Sequence, residues 1–305
     1  MPGMRASSSL RAFDVSVPAT SANLGPGFDT LGIALDLRLR ATVRPAAEFS
    51  LTFQAGPCAP THDGFAQEIL RGFDAVSAHA RPPLAIVVDN PIPLGKGLGS
   101  SAAANVLGAQ IAAECYPERR ADLLTIVTAL EGHPDNALPA LLGGFIVAAQ
   151  RGEYEPSYLR FAPPTRVRAV IAIPEIELPT EEARAILPQT YRKEDVVYNV
   201  QRSSLLAAAW ASGDLSVLRV AMADRLHQPY RAAAVPGLTD ALQLELPGLL
   251  GLALSGAGPS VLGFVESNAD AIASAMQDIF ARHKIPSTTL VLGFTTVGAH
   301  VREVE

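Results

Sequence analysis

The spacing of hydrophobic positions divides the first half of the chain into short strands and helices. Apolar residues at every second position predict half-buried strands, and apolar residues three and four positions apart predict helices with one buried face. Strands are predicted at Phe13–Val17, Leu37–Arg44, Phe49–Phe53, Leu84–Val88 and Gly143–Ala149, and helices at Phe65–His79, Ser101–Cys115 and Ala121–Leu130.

The second half of the chain has the same kinds of element in a different order. Strands are predicted at Val167–Ile173, Leu250–Leu254, Val261–Val265 and within Thr288–Val301, and helices at Asp195–Ser212, Leu215–Leu226, Thr239–Leu246 and Ala269–His283. This order resembles a split β-α-β arrangement with added helices. A domain boundary is expected near Pro163 and Pro164, where a polar stretch interrupts the regular elements.

One stretch is apolar enough to resemble a membrane span. Residues 246–265 contain no charged residue over twenty positions. Two prolines and five glycines interrupt this stretch, and short leucine and valine runs flank a glycine-rich turn. The pattern favours a strand, a loop and a second strand inside a core, so no membrane association is expected.

Composition narrows the class of protein. The 305 residues are enough for two domains, and 49% hydrophobic with 18% charged residues is typical of a globular chain. The net charge of −6 argues against a nucleic-acid partner. Two cysteines without a paired motif fit a reducing cytoplasm. Residues 1–12 lack the apolar run of a signal peptide and are expected to be a disordered extension.

The most informative stretch is residues 91–105, Pro-Ile-Pro-Leu-Gly-Lys-Gly-Leu-Gly-Ser-Ser-Ala-Ala-Ala-Asn, called the glycine segment below. Glycines allow a ligand to approach the backbone closely, and the helix predicted to follow offers unpaired N–H groups to an anion. The segment lacks the Gly-x-x-x-x-Gly-Lys-Ser/Thr spacing of a P-loop. It is compatible with a phosphate site or with a strand-to-helix turn that binds nothing.

Two further segments resemble it in composition and also follow predicted strands. The first segment is residues 18–29, Pro-Ala-Thr-Ser-Ala-Asn-Leu-Gly-Pro-Gly-Phe-Asp, and the C-terminal loop is residues 255–260, Ser-Gly-Ala-Gly-Pro-Ser. Each alone is compatible with a tight turn. Together the three segments favour loops that converge on a polyphosphate ligand.

A fourth segment, residues 131–136, combines two carboxylates, an imidazole and an amide in Glu-Gly-His-Pro-Asp-Asn. A carboxylate, a serine hydroxyl and phosphate oxygens are ligands that suit Mg²⁺. Zinc is disfavoured because His133 has no cysteine or histidine partner at ligand spacing. His133 is interpreted as a structural turn residue, and the role of His227 stays open.

Together these segments resemble those of a known family. The glycine segment is similar to the central motif of the GHMP small-molecule kinases. The stretches 20–29, 131–136 with Gly143 and Gly144, 180–184 and 224–231 resemble the homoserine kinases within that superfamily. The resemblance implies an α+β fold with a ribosomal-S5-like N-terminal domain (13–164) and a ferredoxin-like C-terminal domain (165–305). It also implies ATP, Mg²⁺, phosphorylation of the L-homoserine hydroxyl in threonine biosynthesis, and a homodimer.

The resemblance also implies roles for individual residues. The predicted nucleotide-binding residues are Pro93, Leu94, Gly95, Lys96, Gly97, Leu98, Gly99, Ser100, Ser101, Ala102 and Ala103. Ser101 and Glu131 are expected to hold Mg²⁺. The residues expected to line the amino-acid pocket are Asn23, Asp29 and Asn136, with Arg184 and Arg231 on the substrate carboxylate.

The expected catalytic residues are Asn23, Asn136 and Glu131. Related superfamily kinases use an aspartate as a base, whereas this chain has Asn136, which cannot accept a proton. Because phosphoryl transfer depends mainly on positioning and charge neutralisation, transfer without a protein base is expected. The two asparagines would orient the substrate hydroxyl.

Three other interpretations compete with this one. A different GHMP kinase would act on a mevalonate-type alcohol or a sugar and would lack the two arginines and Asp29. A non-catalytic binding module would have lost Glu131 or the serines of the glycine segment. A structural protein would have no use for three phosphate-type loops.

Overall fold

The computed structural model describes residues 11–60, 63–77, 80–152 and 154–304. The disordered extension expected at residues 1–12 lies outside the described residues, except for its last two. The strands of the described part are β1 (Phe13–Ala22), β2 (Leu31–Pro45), β3 (Ser50–Phe53), β4 (Leu84–Asp89), β5 (Phe145–Arg151), β6 (Glu155–Phe161), β7 (Arg168–Pro174), β8 (Leu249–Leu254), β9 (Val261–Val265), β10 (Ser287–Leu292) and β11 (His300–Glu303).

The helices of the described part connect these strands and pack on them. They are α1 (Gly64–Val76), α2 (Ser100–Cys115), α3 (Leu123–Glu131), α4 (Pro134–Leu142), α5 (Thr180–Ala185), α6 (Lys193–Ser212), α7 (Leu218–Ala221), α8 (Gln228–Arg231), α9 (Leu238–Leu242) and α10 (Ala269–Arg282). A 3₁₀ turn, Pro117–Asp122, precedes α3.

The larger sheet has seven strands, six of them from the first half of the chain. β1, β2, β4, β5 and β6 pair antiparallel, and β3 lies parallel to β4. β11 pairs antiparallel with β1, so residues 300–303 belong to the larger sheet, although they fall within the C-terminal domain predicted at 165–305. The division at residue 164 otherwise stays a prediction.

α2 and α4 pack on this sheet, and α1 lies in close contact with α2. α1 buries the predicted apolar stripe, with Phe65, Ile69 and Phe73 in the core, and α2 is buried on almost all sides. A Cβ at Gly72 would lie 2.0 Å from the Asn105 carbonyl oxygen, and a Cβ at Gly108 would lie 1.8 Å from that of Ile69. Glycine is therefore required at both positions for the backbones to approach this closely.

The smaller sheet has four antiparallel strands in the order β10-β7-β9-β8. α10 packs against β7 and β10, and α9 packs against β8 and β9. The uncharged stretch 246–265 forms β8, a loop and β9, as predicted. None of the described helices combines the length and apolar character needed to cross a bilayer.

Some predicted elements differ from the structure. β2 begins at Leu31, six residues before its predicted start. The elements that the pattern did not predict are α4, α5, α8 and β6. α4 contains Pro134 in its first turn, where the missing N–H does no harm, and Pro139 in its interior, which is not typical of a helix. α5 is short and β6 is an exposed edge strand, so neither has a clear apolar period.

The helix predicted at Leu215–Leu226 is wrong, because only α7 is helical. The buried Asp224 carboxylate accepts hydrogen bonds from the backbone N–H groups of Leu226, His227 and Gln228 at 2.7–3.0 Å. Asn199 of α6 donates a further one at 2.7 Å. Because the Asp224 carboxylate binds these N–H groups, they are not available to a helix that continues through residue 224. The predicted helix is therefore interrupted, and α8 begins at Gln228.

An aromatic cluster joins the two sheets. Trp210 of α6, only 4% exposed, stacks on Phe145 of β5 with ring centroids 4.6 Å apart. Its other neighbours are Phe264 of β9 at 5.5 Å and Phe294 at 6.4 Å, both edge-on. Rings from both sheets thus pack on one indole, and such contacts add to the burial of apolar area.

We expect Trp210→Ala to lower the free energy of unfolding by about 3–5 kcal/mol, because it opens a cavity between the sheets. Trp210→Phe should cost less than half of that, because a ring is kept and an indole N–H without a partner among the described residues is removed. Urea unfolding followed by circular dichroism measures both. Equal losses in the two variants would show that the stacked ring does not join the sheets.

Candidate active site

The three glycine-rich segments meet, and hydrogen bonds connect them. The Thr20 N–H donates to the Leu98 carbonyl at 3.1 Å, and the Gly256 N–H donates to the Ala22 carbonyl at 3.0 Å. The Ser255 hydroxyl donates to the Gly97 carbonyl at 2.7 Å. The bond to Gly97 uses the only hydroxyl proton of Ser255. The Ser21 hydroxyl is therefore the donor in its 2.8 Å contact with the Ser255 hydroxyl. The convergence of the loops expected from the sequence is therefore present.

The glycine segment opens α2 toward a cavity of about 790 Å³. Gly99, with a φ of 66°, precedes the helix, and no side chain caps its first turn. The uncapped N–H groups and the positive end of the helix dipole suit an anion. Gly97 has a φ of 73°, and a Cβ there would lie 2.2 Å from the Ser255 carbonyl oxygen, so glycine is required at this close approach.

Most of the predicted nucleotide-binding residues line this cavity. Those that do are Leu94, Gly95, Lys96, Gly97, Gly99, Ser100, Ser101 and Ala102. Leu98 and Ala103 are buried in the core beneath it. The Lys96 ammonium donates to the carbonyls of Pro174 at 3.3 Å and Ile176 at 2.7 Å, so its side chain ties the segment to the end of β7. A nucleotide role for each of these residues stays a prediction.

The residues predicted to hold a cation lie side by side at this end of the cavity. The Ser101 hydroxyl is 3.3 Å from Glu131 Oε1, and the Asn105 amide donates to the same oxygen at 2.8 Å. Burial raises the pKa of Glu131, and the Asn105 hydrogen bond partly opposes that rise. A hydroxyl and a carboxylate are the hard oxygen ligands that Mg²⁺ prefers, so this donor set fits that ion.

The predicted amino-acid residues line the same cavity. The buried Asn23 donates to the Gly256 carbonyl at 2.9 Å and accepts from the Asp29 N–H at 3.0 Å, so both ends of its amide are fixed. Asn136 accepts a hydrogen bond from the Thr20 hydroxyl at 2.8 Å. That bond uses the amide oxygen of Asn136, and its NH₂ group is the one left to donate.

Two arginines and one aspartate form the charged end of the cavity. Arg184 of α5 binds the Asp29 carboxylate with both terminal nitrogens, at 2.6 and 3.1 Å. The guanidinium carbons of Arg184 and Arg231 lie 5.4 and 5.6 Å from the Phe28 ring. Burial and the nearby charge of Arg184 lower the pKa of Arg231 to about 10, so both arginines are cationic at neutral pH. An anion between them would relieve their repulsion.

Arg231 is held by groups from three parts of the chain. It is 1% exposed and donates to the carbonyls of Ala183 at 3.0 Å and Gly256 at 3.2 Å. Its Nη1 also lies 3.1 Å from His227 Nδ1, and His227 Nε2 lies 2.7 Å from the Gly25 carbonyl oxygen. His227 therefore carries its proton on Nε2 and accepts from the arginine. Burial lowers the pKa of His227, which agrees with a neutral, structural histidine.

His133 belongs to a second charge network in the cavity. Its Nδ1 lies 2.5 Å from the buried Asp135 carboxylate. Burial lowers the pKa of His133, but the charge and hydrogen bond of Asp135 outweigh this and raise it to about 9. Ligand atoms of Asp29, His133 and Asp135 lie within 4.8 Å of one another, but Asp29 is already paired with Arg184. We interpret this group as a charge network.

Residues that sequence reasoning missed also face the cavity or support it. Thr20 lies in the first segment, residues 18–29, and the composition of that segment already indicated a site there. Glu68 and Arg71 line the cavity from α1, and Asn105 supports it from α2. Glu68 and Arg71 lie in a stretch with core-helix spacing, where the pattern carries no sign of a polar site, whereas Asn105 is the last residue of the glycine segment.

The raised pKa of His133 predicts how stability depends on pH. The folded-state pKa exceeds the ordinary 6.5, so the Asp135 pair stabilises the fold fully below pH 6.5 and progressively less as pH rises through 9. Relative to His133→Gln, the wild-type free energy of unfolding should fall by roughly 2–3 kcal/mol over this window. Urea titrations between pH 6 and 10 measure this change in the free energy of unfolding. His283→Gln, which removes a surface histidine paired with Asp240, is the control. A constant difference across the window would contradict the pairing.

Comparisons with known proteins agree with this geometry. The family model described as GHMP kinases N terminal domain matches residues 65–144, and that described as GHMP kinases C terminal matches residues 205–282. A homoserine kinase of Solibacter usitatus is 43% identical over 91% of this chain and 93% of its own length. One of Moorella thermoacetica is 38% identical over 94% and 99%.

A solved structure extends the likeness to the whole fold. The crystal structure of homoserine kinase from Cytophaga hutchinsonii superposes with a TM-score of 0.81 at 28% identity, covering 98% of this chain and all of that one. The two-domain α+β architecture predicted from the sequence is confirmed. The chain belongs to the homoserine kinase family of the GHMP kinases.

Proposed function

We propose that this protein transfers the γ-phosphoryl group of ATP to the side-chain hydroxyl of L-homoserine, forming O-phospho-L-homoserine for threonine biosynthesis. One observation carries the proposal. A single cavity holds the uncapped N-terminus of α2 at one end and Asp29 with two guanidinium groups at the other. The family of the chain supports the same activity.

The charged end of the cavity suits a small amino acid. Asp29 offers a carboxylate to an ammonium group, and Arg184 and Arg231 offer planar forks to a carboxylate. Without substrate, Arg184 satisfies Asp29 itself. An amino acid that bound here would supply one opposite charge to each partner, so the net charge of the site would not change.

The other end of the cavity suits a triphosphate with its cation. The N–H groups at the start of α2 carry no side-chain cap and would bind phosphate oxygens in the way that helix N-termini bind anions. Ser101 and Glu131 would hold Mg²⁺. When bound, that ion neutralises charge on the phosphate oxygens. The protein contributes position and a preorganised set of dipoles.

We propose that no side chain acts as a base. His133, with a pKa of about 9, is protonated at neutral pH and cannot accept the hydroxyl proton. The Thr20 hydroxyl fixes the Asn136 amide so that its NH₂ group can donate to the substrate hydroxyl oxygen. The Asn23 NH₂ group donates one hydrogen to the Gly256 carbonyl and keeps a second one that would donate to the same hydroxyl. The hydroxyl proton then passes to an oxygen of the transferred phosphoryl group.

The rival interpretations account for fewer of these features. A mevalonate or sugar kinase would leave Asp29 and two cationic arginines facing a neutral alcohol. A non-catalytic module would not need Ser101 and Glu131 side by side. We further propose a cytoplasmic homodimer that binds neither nucleic acid nor membrane. Two free thiols and a net charge of −6 support the location and the lack of a nucleic-acid partner, and the family resemblance supports the dimer.

The activity is tested with a coupled assay of ADP release. L-Homoserine, L-serine, L-threonine and mevalonate are compared side by side, each with and without Mg²⁺. We expect kcat/KM for L-homoserine to exceed that of every other acceptor at least 100-fold and to vanish without Mg²⁺. A preference for mevalonate, or no acceptor-dependent release, would refute the proposal.

The absence of a base predicts the effect of Asn136→Asp. The new carboxylate would accept from Thr20 as the amide oxygen does, but it would not donate to the substrate hydroxyl, so kcat should fall by about 10- to 1000-fold. A pH profile of kcat measures the change, with Thr20→Val as a variant that frees the Asn136 amide without adding a charge. A several-fold rise in kcat with a new acidic pKa in the profile would contradict the orienting role of Asn136.

A further inference from the structure

The close contact between α1 and α2 brings a buried amide to the cation end of the cavity. Gly72 and Gly108 allow the two helix backbones to touch. Glu68 lies one turn before Gly72, and Asn105 lies three residues before Gly108. The side chains of Glu68 and Asn105 therefore meet between the helices, and the Asn105 amide donates to Glu68 Oε2 at 3.0 Å.

The same amide nitrogen also binds the carboxylate predicted to hold the cation. Asn105 is fully buried and donates to Glu131 Oε1 at 2.8 Å, its shortest contact in this group. Its separation from the Ser101 hydroxyl is longer, at 3.5 Å. Hydrogen bonds to an ionised acceptor are about twice as strong as neutral ones. Asn105 is thus the only described amide that bridges α1 and the end of α3 at this point.

The bridge holds two like charges together. The bound oxygens of Glu68 and Glu131 lie within about 6 Å of each other, since one nitrogen contacts both, and carboxylates at such separations repel. Arg71 balances part of this charge, because it lies 3.3 Å from Glu68 Oε2 and also donates to the Leu130 carbonyl. The charge of His133 attracts Glu131 and that of Glu68 repels it. Without the amide, Glu131 would lose its 2.8 Å hydrogen bond and its side chain would be free to turn away from Glu68.

We propose that Asn105 is a positioning residue for the divalent cation: its amide, fixed against Glu68, holds the Glu131 carboxylate beside the Ser101 hydroxyl. The inference rests on the proposed function, because it assigns the cation to Ser101 and Glu131. Asn105 lies behind the carboxylate and does not line the cavity. Groups that orient a metal ligand in this way typically change metal affinity by 10- to about 100-fold when removed.

A purely structural role would have different consequences. Asn105 is buried, so its replacement costs stability whatever the carboxylate does. Metal affinity distinguishes the two roles. Thr128→Val is a matched control, since Thr128 is buried on α3, the helix that ends at Glu131, and donates only to the Leu124 carbonyl at 2.8 Å. Its replacement removes one buried hydrogen bond and leaves the carboxylate in place.

The experiment titrates Mn²⁺ into protein saturated with a non-hydrolysable ATP analogue, and electron paramagnetic resonance reports free Mn²⁺. We expect Asn105→Leu, which is similar in size but has no donor, to weaken Mn²⁺ binding at least 10-fold. Thr128→Val should stay within twofold of the wild type. In the kinase assay, Asn105→Leu should raise the Mg²⁺ concentration for half-maximal rate by a similar factor and leave KM for L-homoserine within twofold.

Asn105→Ala, which is small and favours a helix, replaces the leucine variant if that chain does not fold by circular dichroism. Wild-type Mn²⁺ affinity in a folded Asn105 variant, or an equal loss in Thr128→Val, would overturn the inference. Failure of the proposed function is a separate result, because wild-type protein would then bind Mn²⁺ with the nucleotide analogue and show no phosphorylation of L-homoserine.

Discussion

The contact between the glycine segment and the C-terminal loop determines the geometry of the whole site. The Ser255 hydroxyl binds the Gly97 carbonyl, and the Gly97 Cα packs so closely on this loop that a side chain would overlap it. The glycine segment begins α2, which packs on the larger sheet, and residues 255–260 connect two strands of the smaller sheet. One small contact therefore fixes the anion-binding end of the cavity relative to Arg184 and Arg231, which lie on elements of the second half.

Burial and charge are balanced differently at the two ends of the cavity. At the amino-acid end, Arg184 and Asp29 neutralise each other, and the buried Arg231 keeps its proton while His227 beside it stays neutral. At the cation end, burial raises the pKa of Glu131, the charge of His133 lowers it, and the charge of Glu68 raises it. The amino-acid end thus offers charges of both signs that the two charged groups of a zwitterion would pair with, and the cation end offers the Glu131 carboxylate to a divalent ion. This complementarity, more than any single residue, makes the cavity suit a zwitterion and a metal-bound phosphate chain.

Much of this arrangement could be predicted from the sequence. The alternating strands and the apolar stripe of α1 follow from burial on one face, and they are local properties. Glycine, serine and asparagine after strands indicated the converging loops. The direction of the Lys96 side chain could not be predicted, because it depends on carbonyls nearly eighty residues away. The break after α7 depends on the buried Asp224, and the Glu68–Asn105–Glu131 bridge depends on how two helices cross. The first is a local competition for backbone donors that the hydrophobic pattern does not record, and the second is a tertiary effect.

Nucleotide binding by Gly97→Ala, with Gly213→Ala as control, tests most directly whether the contact between Gly97 and the C-terminal loop builds the site. Both glycines have positive φ, 73° and 77°, but a Cβ at Gly97 would overlap the Ser255 carbonyl, whereas one at Gly213 would meet no atom within 4 Å. Titration calorimetry with Mg²⁺ and a non-hydrolysable ATP analogue should show at least a tenfold weaker affinity for Gly97→Ala and wild-type affinity for Gly213→Ala. Wild-type affinity in a folded Gly97→Ala variant would contradict the claim that this contact builds the site.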